Sequence, residues 1–180
     1  MRSVGLPNNR LLVMAILVVL LALLAVSKAE SQNQPYNNDL NLYTSAKTVN
    51  PPLRLNEINA RAIRHFKNHF LKSEDEIWTR VEDLFVATFT NKGIITKVYY
   101  RSHGSFAYYV KYYSANSLHP LVRSMIMKKF ADYSIDVVTE VGNLDSEILF
   151  IKIKNHSNIK TLQVLNENIE VIEDYANGGI

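Results

Sequence analysis

The chain has 180 residues, is 47% hydrophobic and 21% charged, sets 20 Lys and Arg against 17 Asp and Glu for a net charge of +3, and contains no cysteine. The missing cysteine excludes a disulfide framework, a thiolate zinc site and a cysteine nucleophile. Five Pro and six Gly exclude a collagen-like or low-complexity chain.

The first predicted element is an export signal. Arg2 and Arg10 precede an uninterrupted apolar run from Leu11 to Val26, and Ser27-Lys28-Ala29 supplies the small residues that a signal peptidase needs. Residues 1–29 therefore read as a signal peptide cleaved after Ala29. The alternative is an uncleaved anchor, for which the run is shorter than the roughly 20 residues that span a hydrocarbon core. These residues hold three cations and no acid, so the remainder carries 17 charges of each sign. The basic bias thus belongs to export, the predicted location is periplasmic or secreted, and a membrane is met only through an uncleaved signal. A neutral remainder also argues against nucleic acid as a partner.

Residues 30–54 are rich in Asn, Gln, Ser and Thr without a sustained apolar period, which predicts a disordered leader closed by Pro51-Pro52. From Leu55 the pattern changes. Leu55, Ile58, Ala62, Phe66 and Phe70 recur at three- and four-residue steps behind Asn56 as an N-cap, predicting a helix over 56–71. Alternating β-branched and aromatic residues then predict strands over 77–81, 84–90, 94–101 and 105–113, with short Asn- and Gly-containing connections that favour antiparallel hairpins. His119-Pro120 opens a second helix, to residue 131, and strands follow over 133–141, 147–154, 159–165 and 168–174. Helix plus four strands thus occurs twice, over 55–114 and 117–175. The expected fold is α+β, a tandem repeat of helix plus four-stranded antiparallel meander, joined into one sheet of up to eight strands with both helices on one face.

The order helix, aromatic stop, strand with Trp78, strand ending in Phe89-Thr90-Asn91-Lys92-Gly93, Tyr-rich hairpin and second helix leading into Tyr133-Ser134-Ile135 resembles the PepSY-like, β-lactamase-inhibitor-like family of exported bacterial proteins. The resemblance covers residues 55–174. Leu71 departs from it, since such proteins often have Pro there, and the turn at 101–104 lacks their usual Asp-Gly. It implies a two-repeat α+β fold, export, and a non-enzymatic binding or inhibitory role, and it brings no catalytic residues.

The residues alone give no reaction either. No GxSxG, P-loop, HExxH or GxGxxG pattern is present, so no cofactor and no enzymatic activity are expected. His65 and His69 stand four apart on the first helix, but no third ligand shares their face, and a packed flank histidine explains them better than a metal site. Glu74-Asp75-Glu76 and Glu82-Asp83 read as solvated turn acids, and Asn155-His156-Ser157, a glycosylation sequon by pattern, reads as an ordinary turn.

The unusual feature is tyrosine density: six of ten fall in the third and fourth predicted strands. Simple alternation puts Val98, Tyr100, Phe106, Tyr108, Val110 and Tyr112 on a core face and Lys97, Tyr99, Arg101, Tyr109, Lys111 and Tyr113 on an open one. Aromatic residues among cations suit contact with a protein or peptide; cross-strand pairing that only stabilises a solvated sheet gives the same alternation. The function expected is a binding module for a protein or peptide partner in the cell envelope, with that second set as its contact face. The alternatives are a small-ligand carrier with a cavity between helix and sheet and an enzyme without a recognisable motif.

Overall fold

The structure, a computed structural model, describes residues 50–177. The predicted signal segment and the leader up to residue 49 lie outside them. Eight strands form one antiparallel sheet in sequential order: β1 (Glu74–Val81), β2 (Leu84–Asn91), β3 (Ile94–Arg101), β4 (Phe106–Ser114), β5 (Ser134–Gly142), β6 (Glu147–Lys154), β7 (Asn158–Leu165) and β8 (Asn168–Ala176). Helix α1 (Ala60–His69) precedes β1, and α2 (Pro120–Lys129) joins β4 to β5. The expected α+β class and the single eight-stranded sheet are thus observed. Among the described residues no helix is long and apolar enough to cross a membrane.

Local chemistry explains the boundaries. The first helix starts later than its apolar period implies. Leu55–Glu57 forms a separate 3-10 turn held by the Arg54 N–H donating to Glu57 at 2.7 Å, and Ile58 is extended. Asn59, not Asn56, is the N-cap, accepting from the Arg61 N–H at 3.0 Å. The second helix begins as expected, with Pro120 in its first turn and the His119 ring accepting from the Leu121 N–H. Lys92-Gly93 and Asn166-Glu167 both have positive φ at each residue, the conformation that closes a two-residue hairpin without splaying its strands. Two residues of the predicted leader are fastened to β1: the Asn50 amide donates to the Arg80 carbonyl, and the Leu53 N–H to that of Trp78.

Both helices pack on one face of the sheet. Ile58, Ala62 and Phe66 meet Trp78, Phe85, Ala87, Phe89, Val98 and Tyr100. Leu118 and Ile126 meet Val138, Ile151, Ile153, Leu162 and Val164. The Phe66 ring stands edge-on to Trp78 and Phe89 at 5.3 Å, a favoured aromatic geometry. The start of α1 touches the β3–β4 turn, where the Asn59 amide donates to the Ser102 carbonyl at 3.2 Å. Gly104 in that turn has φ +83°, and a side chain there would overlap Asn59, so glycine is required on both counts. Among the described residues neither helix belongs to the opposite face, whose Val86, Ile95, Val110, Val141, Ile148 and Phe150, placed there by strand alternation, are nonetheless buried.

Candidate functional site

The six residues expected on one open face lie on two faces. In the β3–β4 pair Tyr100 is opposite Phe106, but Tyr99 is opposite Tyr108, which leaves Ala107 as an extra residue. This β-bulge shifts the register by one, and a one-residue shift moves every later side chain to the other face. Lys97, Tyr99 and Arg101 stay on the helix-free face, and Tyr109, Lys111 and Tyr113 turn to the helix side. Tyr108 and Tyr112, expected in the core with Tyr100, join Lys97 and Tyr99 instead.

On the helix side, β4 and β5 meet in a polar seam between the two apolar clusters. Lys111 is opposite Glu140 in the register, and its ammonium lies 2.6 Å from the carboxylate. The Tyr109 and Tyr113 hydroxyls donate to the same carboxylate at 3.0 and 2.8 Å. Glu140 therefore receives three donors, which replace the hydration that its partly buried carboxylate loses. Gly142 makes this possible, because a Cβ there would lie 2.5 Å from the Tyr109 ring. Both phenols are pushed up from their usual value, first by burial and then by the Glu140 charge and its hydrogen bonds. They are hydrogen-bond donors at neutral pH and poor proton acceptors. Beside the seam is an open groove of about 240 Å³, with Phe70, Phe89 and Ile94 on its apolar side and Lys111, Tyr113 and Glu140 on its polar side.

On the helix-free face, the Tyr99 and Tyr108 rings stack at 4.3 Å and 17°. The Lys97 ammonium sits 5.8 Å from the centre of the Tyr112 ring, within the range of cation–π attraction. Burial holds Lys97 below the usual lysine value and raises Tyr99 and Tyr108, the latter to about 12. The feature that could have revealed this grouping in the sequence is the small Ala107 among large residues, which marks the bulge only once the register is known.

The histidines of α1 are occupied. Their rings stack at 4.0 Å; His65 Nδ1 shares a 3.1 Å hydrogen bond with the Tyr100 hydroxyl, and His69 Nδ1 donates to the His65 carbonyl at 2.8 Å. Among the described residues, no three His, Cys, Asp or Glu side chains are grouped to hold a metal ion. Glu76, expected in a turn, lies in β1 and accepts from the Trp78 indole.

No protein-family profile and no curated protein matches the chain. Solved structures share its fold. A DUF2874 family protein from Bacteroides ovatus superposes with a TM-score of 0.52 at 17% identity, over 66% of this chain and 87% of its own. A BLIP-like protein from Bacteroides fragilis gives 0.52 at 13% identity, over 68% and 88%. A "putative periplasmic" protein from Bacteroides eggerthii gives 0.51 at 14%, over 66% and 88%. At such identities the likeness is one of fold, and the β-lactamase-inhibitor-like half of the resemblance read from the residues agrees with it.

Proposed function

We propose that this chain is an exported, non-enzymatic binding module that captures a protein or peptide partner in the cell envelope through the helix-free face of its sheet. The observation that carries the reading is the group of partly exposed Lys97, Tyr99, Arg101 and Tyr112 side chains on that face. Val86, Val110, Val141, Ile148 and Phe150 beside them are buried and belong to the core. Tyrosine among cations at a partly exposed surface is what protein contacts use. Export rests on the apolar run after Arg10, and the periplasmic and BLIP-like names of the fold neighbours support location and role. Membership of the PepSY-like family, with 55–114 and 117–175 as duplicated halves, belongs to the same proposal.

A Tyr99→Ser, Tyr112→Ser double variant tests it. The variant should keep its fold and lose capture of the envelope protein that the natural chain retains in a pull-down. Unchanged capture by a folded variant would overturn the reading. Tyr109 and Tyr113 are unsuitable for this test because they hold Glu140. A second reading, a small-ligand carrier, is favoured by the groove beside Glu140, but its 240 Å³ is below the roughly 300 Å³ of typical ligand pockets.

A further inference from the structure

The registers set Phe89, Thr96, Lys111 and Glu140 side by side across β2 to β5, and this row lines the groove beside the polar seam. Thr96 is only 4% exposed, yet among the described residues its hydroxyl has no hydrogen-bond partner. It is not sealed in the core either, since no sealed side-chain oxygen or nitrogen of the described residues lacks a partner; the groove is its outlet. A buried hydroxyl without a partner normally costs stability, and this one marks a position that a ligand atom can complete. The surrounding charges set the sign of that atom. Lys92 and Lys111 line the groove against one acid, Glu140. Glu140 already takes three donors, whereas the Lys111 ammonium gives it one N–H of its three. Lys92, at the exposed rim, has no ion pair among the described residues. The groove therefore holds a spare positive charge and spare donors.

We propose that this groove binds a small carboxylic acid with an apolar body. The body lies against Phe70, Phe89 and Ile94, and the carboxylate accepts from the Thr96 hydroxyl and the Lys111 ammonium, with the Lys92 charge at the rim. Hydrogen bonds to a charged acceptor are about twice as strong as neutral ones. The recess of about 240 Å³ is short of what a drug-sized ligand fills and suits one ring with a short acid arm. Charge also gives the selectivity: an amine meets two lysines, and a neutral molecule leaves the spare charge unanswered. The inference concerns the helix side of the sheet and does not rest on the proposed role of the helix-free face, so each can fail alone.

Phenylacetate and its uncharged counterpart phenylacetamide serve as probes, titrated against the full chain by calorimetry. Phenylacetate should bind at least about tenfold more tightly, the ratio expected for one charge-assisted hydrogen bond. Thr96→Val should weaken phenylacetate binding about tenfold without lowering the thermal unfolding temperature, because the hydroxyl has no partner to lose. A threonine with a merely structural role would give the opposite pattern. Lys92→Asn, which keeps the left-handed backbone of the hairpin turn, should reduce the preference for acid over amide. The Tyr99→Ser, Tyr112→Ser variant should bind phenylacetate as the natural chain does. No saturable binding of phenylacetate, equal affinity for acid and amide, or binding unmoved by both Thr96→Val and Lys92→Asn overturns the groove as an acid site and leaves the helix-free face untouched. Binding lost in Tyr99→Ser with Tyr112→Ser would put the acid on the other face and overturn it equally.

Discussion

Glu140 shows how one charge organises its surroundings. Three donors converge on it from β4, two of them phenols whose rings also pack into the two apolar clusters, Tyr109 against the first and Tyr113 in the second. Removing one charge-assisted hydrogen bond from such a cluster costs about 2 kcal/mol, so Tyr113→Phe should lower unfolding free energy by that amount in a denaturant titration. Gly142→Ala should cost a similar about 2 kcal/mol through overlap with the Tyr109 ring. That penalty should fall sharply when Tyr109 is also Ala, since the obstacle is then gone; equal penalties in both backgrounds would refute the steric account. His65 supplies a pH dependence. Burial, and secondarily the charge of His69, lower its pKa in the folded state. The unfolded chain therefore binds the proton more readily, and His65 contributes stability above about pH 6.5 that is lost as pH falls below it. A His65→Phe variant should lose less stability between pH 7 and pH 5 than the natural chain.

At the scale of the elements, the bulge at Ala107 decides which residues share a face. Deleting Ala107 should remove only the extra residue, keep Tyr99 opposite Tyr108 and Val98 opposite Tyr109, and leave Tyr109, Lys111 and Tyr113 on Glu140 with cooperative thermal unfolding retained. A deletion variant that loses the Glu140 cluster and its cooperative unfolding would contradict the reading of Ala107 as the extra residue. The strands themselves were legible: β3 and β6 match their sequence-based ranges, and most other ends differ by a residue or two, because period-two runs bounded by turn residues encode them locally. The start of α1 was less legible. Leu55 continues the helical stripe in sequence but belongs to a 3-10 turn and is exposed, so spacing alone set the cap one turn too early. The site was legible in composition but not in arrangement. A bulge is a long-range property of two paired strands, and its single extra residue has no local signature strong enough to read.

At the scale of the molecule, the tyrosines make stability depend on alkali. Folding raises the pKa of Tyr99, Tyr100, Tyr108, Tyr109 and Tyr113, in each case chiefly by burial. The folded state holds these protons more tightly than the unfolded one, so the contribution is complete below about pH 10 and is lost as pH rises beyond it. Absorbance of ionised phenol should therefore appear in two phases, with the later one coinciding with loss of the far-ultraviolet signal of the sheet. The same buried aromatics help to provide, in a chain with no cysteine, the stabilisation that small exported domains commonly draw from disulfides.

The helix-free face is the claim on which the functional proposal depends. A photoreactive residue placed in turn at Lys97, Tyr99 and Tyr112, and at Lys67 and Ser124 on the helices, tests it in the native envelope. The prediction is one and the same protein adduct from all three sheet positions, competed away by excess unlabelled chain, and none from the helices. Adducts from the helical positions, with none from the sheet, would contradict it.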